Sequence, residues 1–309
     1  MTLVTLGTIE QALAYSSILS FLAIGISLLY KTTKVPNFAH ASFATAGAYS
    51  VYSISTILGL NPYIALIVAF SSVVLMAVLL FIVLEPLRRR KASTQMLMIA
   101  TLAYDILMYG VLNVFADTIQ ALFKIPSRTV TLMRFDFTIA GLRGVLVVSL
   151  ILLSLSAIIL YLILNRTYIG ICLRASMENQ ALAESIGINT RVTLLISWII
   201  AGGLAGLGGG ILTIWTQIDP SIGMLLIPSM FCASILGGLE EIYGAIIGGF
   251  LLGFVEIIGI EVLARSVGTW VTPYRPAIPL IILFTTLLLC PKGLVGPLRE
   301  AIRKSWRRG

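Results

Sequence analysis

Charged side chains are scarce in this sequence of 309 residues, of which only 11% are Asp, Glu, Lys or Arg. Hydrophobic residues make up 58% and the mean hydropathy is +1.02, which lies outside the range of soluble globular domains. The apolar residues form runs of helical length, not the ~10-residue alternating segments of an outer-membrane barrel. The composition therefore excludes a soluble domain and predicts an all-α polytopic transmembrane helical bundle surrounded by lipid.

Residues that carry catalysis and metal binding are equally sparse. His40 is the only histidine, and Cys172, Cys232 and Cys290 stand far apart without CxxC or Cys/His spacing. No Ser/His/Asp or Cys/His set is present, so we predict no catalytic residue, no metal site and no cofactor bound by this chain. An intramembrane enzyme is disfavoured for the same reason.

The positive charge of the chain indicates membrane topology, not nucleic-acid binding. The net charge is +8, and the basic residues cluster at the ends of the apolar runs, as the positive-inside rule requires. If the runs alternate across the membrane, one side receives the loop with Lys31 and Lys34, the cluster 88–91, the polar segment 165–191 and the basic tail 298–309. This bias identifies that side as the cytoplasm. We therefore expect the amino terminus outside, the carboxyl terminus inside and one transmembrane domain over 1–309.

Nine apolar runs, eight or nine of them membrane spans, are separated by turn residues and charges. We expect them at about 12–30, 41–58, 63–84, 96–115, 145–164, 194–214, 223–236, 242–260 and 278–290. Two stretches, 36–47 and 228–238, share small residues, an aromatic residue and a closing glycine. If they form an internal repeat, discontinuous or re-entrant helices would surround a central path, with an interruption at Pro228; chance similarity is the alternative.

One extended polar segment, 165–191, interrupts the apolar sequence. Its stretch 175–186 has no Pro or Gly, is rich in Ala, Leu, Glu and Gln, and stops at Gly187, so it predicts one short helix. About a dozen residues at ~1.5 Å rise give a rod of about 18 Å, too short to span a bilayer. The helix must lie beside the membrane, on the lipid interface or in a partner's groove. One face, with Ala175, Asn179, Leu182 and Ile186, could pack against the protein, and the other, with Ser176, Gln180 and Glu184, could meet water or a partner.

Asp105 lies in the middle of the fourth run. A charge there costs about 2.5 to 3.5 kcal/mol on the insertion scale, so we expect it to face the interior beside a partner or water. Its role is either functional or structural. His40, at the start of the second run, either lines a polar path or caps the helix entry.

Other acidic residues lie nearer the ends of the runs. Glu85 and Glu300 stand beside arginine clusters, which predicts boundary ion pairs. Glu240 and Glu241 fall in a turn where, unpaired, they could meet a basic surface of a partner. Glu256 lies within the eighth run and needs a polar neighbour.

Glycine is dense in 201–210 and 244–253. Spacings such as Gly202 to Gly206 and Gly249 to Gly253 allow helix backbones to approach closely in lipid. We favour tight helix packing over a substrate role for these segments.

Short motifs follow one another through nearly the full length of the chain. They are Asn37-Phe-Ala-His40, Gly47-Ala-Tyr49, Arg174-Ala175, Asn179, Ala183, Gly187-Ile-Asn189, 201–210, Leu236-Gly-Gly238, 244–253 and 291–296. As a set they resemble the permease subunits of ATP-binding-cassette importers for branched-chain amino acids. The chain departs from that pattern at Ala41-Ser42, where similar permeases carry Gly-Glu, and at Asp105, where small or apolar residues are common. The solute therefore stays open between branched-chain or other amino acids, urea and short amides.

The resemblance implies an importer with several subunits. Two permease chains would form the path, two cytoplasmic ATPases would hold ATP and Mg²⁺, and an extracellular substrate-binding protein would deliver the solute. This chain lacks a GxxxxGK(S/T) loop, so ATP hydrolysis must come from another subunit. The polar segment would seat in a groove of an ATPase, with coupling assigned to Arg174, Glu178, Asn179, Glu184, Gly187 and Asn189. The substrate pathway is assigned to Asn37, His40, Ser42, Asp105, Gly237 and Gly238.

The alternative function is an ion-coupled secondary transporter in the same membrane. In that case the Asp105 carboxylate would bind the coupling ion. The two functions differ in whether the chain transports without an ATPase.

Overall fold

Eleven helices account for most of the computed structural model, which describes residues 5–139, 141–290 and 293–294. They are α1 (Leu6–Thr33), α2 (His40–Ile57), α3 (Pro62–Arg89), α4 (Thr94–Phe123), α5 (Gly144–Arg166), α6 (Tyr168–Glu178), α7 (Gln180–Ser185), α8 (Thr190–Trp215), α9 (Ile222–Gly237), α10 (Ile242–Val267) and α11 (Ala277–Leu289). The short strands β1 (Thr138–Ile139) and β2 (Leu142–Arg143) pair antiparallel, and 3₁₀ turns lie at Met133–Phe135 and Thr269–Tyr274. The prediction of an all-α bundle is confirmed.

Nine of these helices follow the nine apolar runs of the sequence. Within the described ranges, α1, α3, α4, α5, α8 and α10 are long and apolar enough to cross a membrane. Helices α9 and α11 are apolar but shorter, and α2 carries many Ser, Thr and Tyr residues. The helix ends match the turn signals: Asn61 caps α3 with Pro62 in its first turn, and Ser93 caps α4.

Helices α1, α2 and α8 form the centre of the bundle. The most apolar window of α1 is 94% buried and that of α8 is 72% buried, whereas the windows of α4 and α5 are each only 22% buried. Helix α10 packs along α1, α3 packs along α8, and α9 lies between α1, α2 and α10. The peripheral helices turn large apolar side chains outward, as expected of a surface in contact with lipid.

Glycine brings the central helices into backbone contact. A Cβ on Gly209 of α8 would lie 1.8 Å from the Ala44 carbonyl oxygen of α2. A Cβ on Gly253 of α10 would lie 2.6 Å from the Cα of Ser16 on α1. Only a residue without a side chain fits at either crossing, so the packing interpretation of the glycine-rich segments is confirmed.

The stretches 36–47 and 228–238 do not share a structure. Residues 36–39 form a turn that leads into α2 at His40. Helix α9 runs without a break through Pro228, so the interruption expected there does not occur. A proline removes one backbone donor, and neighbouring helices allow a transmembrane helix to continue through it. The two stretches do meet in space, because the rings of Phe38 and Phe231 lie 5.2 Å apart.

The loops gather at two ends of the bundle. The lower end contains the turns 34–39, 90–93 and 238–241 together with α6 and α7, and Lys34 Nζ lies 2.7 Å from Glu240 Oε1 within it. The upper end contains the segments 58–61, 124–143, 216–221 and 268–276, joined by a bridge between Val130 and Ile218. This grouping matches the alternation of the runs. The basic tail 298–309, Glu300 and most of the motif 291–296 lie outside the described residues.

Candidate functional site

The polar segment at the lower end is two helices, α6 and α7, separated at Asn179. Asn179 is extended, with φ −156° and ψ 105°, and its side-chain Oδ1 accepts a hydrogen bond from the Leu182 amide at 3.0 Å. The single helix predicted over 175–186 is therefore wrong. The physical reason is that an asparagine side chain can replace the backbone carbonyl as acceptor, which ends one helix and begins another. Helix α6 also begins earlier than predicted, at Tyr168, after the cap residue Thr167.

Helix α7 is fastened to the central bundle by Gln180. The Gln180 side-chain amide donates to the Thr32 carbonyl at the end of α1, at 3.1 Å. Its oxygen accepts from Arg88 Nη1 at the end of α3, at 3.4 Å. The polar face that was expected to meet water or a partner thus contacts the bundle.

The face of α7 that was predicted to pack is exposed instead. Ala183 is buried, whereas Leu182 and Ile186 are 61% and 69% exposed. On α6, Ser176 is buried and accepts a hydrogen bond from Thr193 of α8 at 3.1 Å. Short side chains let the segment lie close to α8, so the longer apolar ones project away from the protein. The result is an uncovered pair of apolar side chains on a polar segment.

Five of the six residues assigned to coupling hold the shape of this segment. Arg174 donates to the Leu164 carbonyl and, at 3.3 Å, to Asn165 Oδ1, which ties α6 to the end of α5. Glu184 accepts from the Thr190 hydroxyl at 2.5 Å. The remaining three are Asn179, which caps α7, Asn189, which caps α8, and Gly187, which follows α7. Glu178, the sixth, is exposed on the surface.

Gly187 ends α7 as predicted. Its φ of 87° is in the left-handed region, and the Ile188 amide donates back to the Ala183 carbonyl at 3.0 Å. This is the hydrogen bond that closes a helix whose next residue is left-handed, and glycine adopts that conformation without strain.

A second polar group links the start of α2 to the inner face of α4. The Ser42 amide donates to Asp105 Oδ1 at 3.0 Å, and the Ser42 hydroxyl donates to the same oxygen. One helical turn away, the Phe38 amide donates to the Thr101 hydroxyl at 3.3 Å. Asp105 is 1% exposed, so the prediction that it faces the interior beside a partner is confirmed. That partner is a hydroxyl and a backbone amide, and in the part of the chain described here no cation pairs with it.

Asn37 lines a small cavity at the lower end. The cavity has a volume of about 40 Å³ and is also lined by Thr101, Glu85, Arg88 and Trp198. Neither the oxygen nor the nitrogen of the Asn37 amide has a hydrogen-bond partner among the described residues. A water needs roughly 10–15 Å³ of such space, so the cavity has room for water or a small polar group beside this amide.

His40 fills a notch on α1. The residue is fully buried, and a Cβ on Gly25 would lie 2.6 Å from its ring. Its side chain makes no capping hydrogen bond at the start of α2, so the capping alternative is wrong. The ring packs edge-on against Phe43 at 6.0 Å. A lining role in a polar path stays a prediction.

Gly237 and Gly238 form the turn between α9 and α10, away from Ser42 and Asp105. A Cβ on Gly237 would lie 2.1 Å from the Gly244 carbonyl oxygen, and Gly238 has a φ of 102°. Both therefore have a structural reason to be glycine. Their place in the pathway stays a prediction.

Two acidic residues at the lower end, Glu85 and Glu240, have partners that clarify their roles. Glu85 is buried and accepts from Arg88 and Arg89 at 2.9 and 2.8 Å, which confirms the boundary ion pair. Glu240 pairs with Lys34 at 2.7 Å, so the condition of an unpaired Glu240, under which it could meet a partner's basic surface, is not met. Two turns that are distant in sequence meet there.

Glu256 of α10 has three hydrogen-bond partners. Its carboxylate accepts from the Tyr15 hydroxyl, the Ser229 hydroxyl and Arg275 Nε at 3.1, 3.1 and 2.8 Å. The need for a polar neighbour was predictable, since a carboxylate within a span must be compensated. The identity of these partners was not, because Tyr15 lies 241 positions away. Thr101 and Gln180 were likewise missed as contacts, and only their polarity beside an apolar run could have indicated them.

The chain matches a family model described as "Branched-chain amino acid transport system / permease component" over residues 8–289. It is similar to the "Probable branched-chain amino acid transport permease protein LivH" of Methanocaldococcus jannaschii, at 41% identity over 93% of this chain and 91% of the relative. It is also similar to the high-affinity branched-chain amino acid transport system permease proteins BraD of Pseudomonas aeruginosa (24% identity, covering 93% and 94%) and LivH of Salmonella typhimurium (25% identity, covering 90% and 91%). The chain therefore belongs to the permease components of branched-chain amino acid transport systems, a family of multi-pass membrane transport subunits and not of enzymes.

Proposed function

We propose that the chain forms the path of an ATP-driven importer that carries branched-chain or closely related amino acids across the cell membrane. The names of three relatives, each aligned over nine-tenths or more of this chain, support the solute class. The full assembly would contain a second permease chain, two ATPases with ATP and Mg²⁺, and an extracellular substrate-binding protein.

The observation that carries this proposal is the geometry of α7. The helix is fixed to the ends of α1 and α3 through Gln180, while Leu182 and Ile186 project outward with no protein over them. Two apolar side chains on a short polar helix suit insertion into a groove of a soluble partner. An ATPase bound there would pull on Gln180, and through it on the central helix α1.

The distribution of basic residues supports a cytoplasmic position for α7. In the described ranges, nine lie at the lower end and six at the upper end. The lower-end residues are Lys31, Lys34, Arg88, Arg89, Arg90, Lys91, Arg166, Arg174 and Arg191, and the upper-end residues are Lys124, Arg128, Arg134, Arg143, Arg265 and Arg275. In our proposal the lower end faces the cytoplasm, the amino terminus lies outside and the tail 298–309 lies inside.

The polar residues between α2 and α4 are our candidates for the inner part of the path. Asn37 supplies an amide that has no partner among the described residues and borders a cavity, and Ser42 of α2 and Asp105 of α4 supply hydroxyl and carboxylate groups between these two helices. His40 borders this group on the side of α1. Gly237 and Gly238 would permit α9 to move against α10 while the path opens.

The test uses the ATPases bound to the chain in proteoliposomes. We expect Leu182→Asp to abolish ATP-dependent uptake of L-leucine, because a charge would disrupt an apolar contact with the ATPase. The matched control is Leu58→Asp. Leu58 is 63% exposed at the upper end, so this variant should leave uptake intact. Transport by the purified chain in liposomes without an ATPase would contradict the proposal.

An ion-coupled transporter is the second candidate, favoured by the buried Asp105 carboxylate, which has no cationic partner among the described residues. Its test is Asp105→Asn. Loss of a dependence of uptake on pH or sodium would support it, and unchanged ATP-driven uptake would eliminate it.

A further inference from the structure

A polar cavity at the upper end is separate from the residues discussed so far for coupling and for the inner path. It has a volume of about 160 Å³ and lies between α1, α8, α9, α10 and the turn before α11. Its polar lining consists mainly of Tyr15, Trp215, Ser229, Glu256 and Arg275. An apolar cavity of about 150 Å³ holds a molecule the size of benzene, so this cavity has room for a small solute.

The cavity contains one negative and one positive side chain. The Glu256 carboxylate receives the three hydrogen bonds from Tyr15, Ser229 and Arg275 described above, and its side chain is 4% exposed. The Arg275 side chain is 27% exposed, and of its five N–H donors the Nε–H is directed to Glu256. Charged groups inside a transmembrane bundle are costly and mark binding or transport sites.

The aromatic wall of the cavity contains an unused donor. Tyr15 and Trp215 stack at 4.9 Å, and the Arg275 guanidinium lies 4.2 Å from the Tyr15 ring centre and 5.6 Å from that of Trp215. Trp215 is 7% exposed, yet its Nε1–H has no acceptor among the described residues. Because buried indole N–H groups normally find a partner and Trp215 lines the cavity, this donor is available to an acceptor group of a bound solute.

We propose that this cavity is the outer binding site for the solute, and that it recognises the zwitterionic backbone of an α-amino acid. The α-carboxylate would accept from the Trp215 Nε1–H and from the remaining donors of Arg275. The α-ammonium group would donate to Glu256. The apolar side chain of the solute would lie against Leu212 and Leu226, which line the same cavity.

Charge balance makes this recognition selective. In the unliganded cavity Glu256 and Arg275 compensate each other, and a zwitterion preserves that balance because it brings one charge of each sign. An anion or a cation alone would leave one buried charge without a partner, which is strongly unfavourable. This inference rests on the proposed transport of amino acids and assigns a site to it.

The test measures binding of radiolabelled L-leucine to the full chain in lipid nanodiscs. We expect Trp215→Phe to weaken binding by about tenfold, because it removes one hydrogen bond to a charged group and keeps the stacked ring. The matched control, Trp270→Phe, changes a tryptophan at the same end that is 64% exposed and donates to the Val267 carbonyl, and it should bind normally. Isocaproate, which lacks the ammonium group, and leucinol, which lacks the carboxylate, should both compete poorly with leucine.

A second variant separates recognition from folding. Glu256→Gln removes the negative charge but keeps an oxygen for Tyr15 and Arg275 and places an amide that can donate to the Ser229 hydroxyl, so the cavity becomes positive. We expect its preference to shift from leucine toward isocaproate, a gain that a misfolded protein would not produce.

Equal leucine binding by the Trp215→Phe and Trp270→Phe variants, or no leucine binding by the unmodified chain, would overturn the assignment. If ATP-driven uptake by the assembled importer persists with an unaltered KM in Trp215→Phe, the site is wrong and the proposed function stands. If the assembled importer takes up no amino acid, the proposed function itself fails.

Discussion

Replacing Gln180 by leucine isolates the connection between α7 and the bundle. Leucine and glutamine have similar helix propensities and lengths, so α7 itself should persist. What is lost is the donor to the Thr32 carbonyl at 3.1 Å and the acceptor for Arg88 at 3.4 Å. The Thr32 carbonyl belongs to the last turn of α1, where backbone oxygens have no partner within the helix.

The magnitude follows from these two contacts. A neutral hydrogen bond contributes about 0.5–1.5 kcal/mol. The bond from Arg88 has a charged donor, which strengthens it, but it is long, which weakens it, so it contributes a similar amount. The connection is therefore worth about 1–3 kcal/mol, which corresponds to a factor of about 5–150 in the equilibrium that α7 controls. We expect the number of solute molecules imported per ATP hydrolysed to fall by a factor in that range.

The assay compares ATP hydrolysis with L-leucine uptake in proteoliposomes that contain the chain and its ATPases. ATP hydrolysis should continue, since α7 still presents Leu182 and Ile186, while uptake declines. Gln120→Leu is the matched control, because Gln120 is exposed at the upper end of α4. If Gln180→Leu imports as much solute per ATP as the control, force does not reach the bundle through this side chain and the reasoning is refuted.

Three further predictions concern packing, helix termination and topology. Gly209→Ala should lower the thermal unfolding temperature in detergent, since overpacking against Ala44 costs about 1–3 kcal/mol. Gly110→Ala should not lower it, because there is open space around Gly110. Equal effects of the two variants would contradict the contact between α8 and α2. Gly187→Ala should strain the end of α7 by about 1–2 kcal/mol and speed proteolysis within 165–191, and unchanged cleavage would argue against the left-handed turn. In a chain whose native cysteines are replaced, Ser185→Cys should react with impermeant thiol reagents only from the cytoplasmic side, and labelling from outside would reverse the proposed orientation.

The helices were predictable because apolar length decides which segments can cross a membrane. The expected run 194–214 corresponds to Thr190–Trp215, and the run 242–260 to Ile242–Val267, so the errors are confined to the polar ends. In lipid every backbone group must be bonded within its own helix, which leaves the sequence few alternatives there. The polar segment lacks that constraint. A single residue, Asn179, separates α6 from α7, where the helical periodicity of the sequence predicted one helix.

The polar contacts of the site were predictable in kind but not in identity. A carboxylate at Asp105 or Glu256 requires compensation, and that much follows from the cost of charge in a membrane. Which group supplies it depends on how helices cross. Ser42 reaches Asp105 because a glycine and small-residue packing bring α2 deep into the bundle, and Tyr15 reaches Glu256 because α1 runs the length of α10. Which helices cross, and at which residues, cannot be predicted from a single sequence.

Helix α1 connects the two ends of the molecule and leads to a last prediction. Thr32 at its lower end contacts Gln180 of α7, and Tyr15 lies in the upper cavity; at ~1.5 Å per residue they are about 26 Å apart. α1 is one continuous helix between these two points, and its backbone contacts that of α10 at Ser16. If α7 and the cavity are coupled through α1, leucine must change the affinity of the chain for the ATPase by the same factor by which the ATPase changes its affinity for leucine. Both affinities can be measured on one nanodisc preparation. We expect Gln180→Leu to bring the factor for the ATPase and the factor for leucine toward a value of one by the same amount. A change in only one of them would be inconsistent with this linkage, and factors of one in the unmodified chain would show that the two ends act independently.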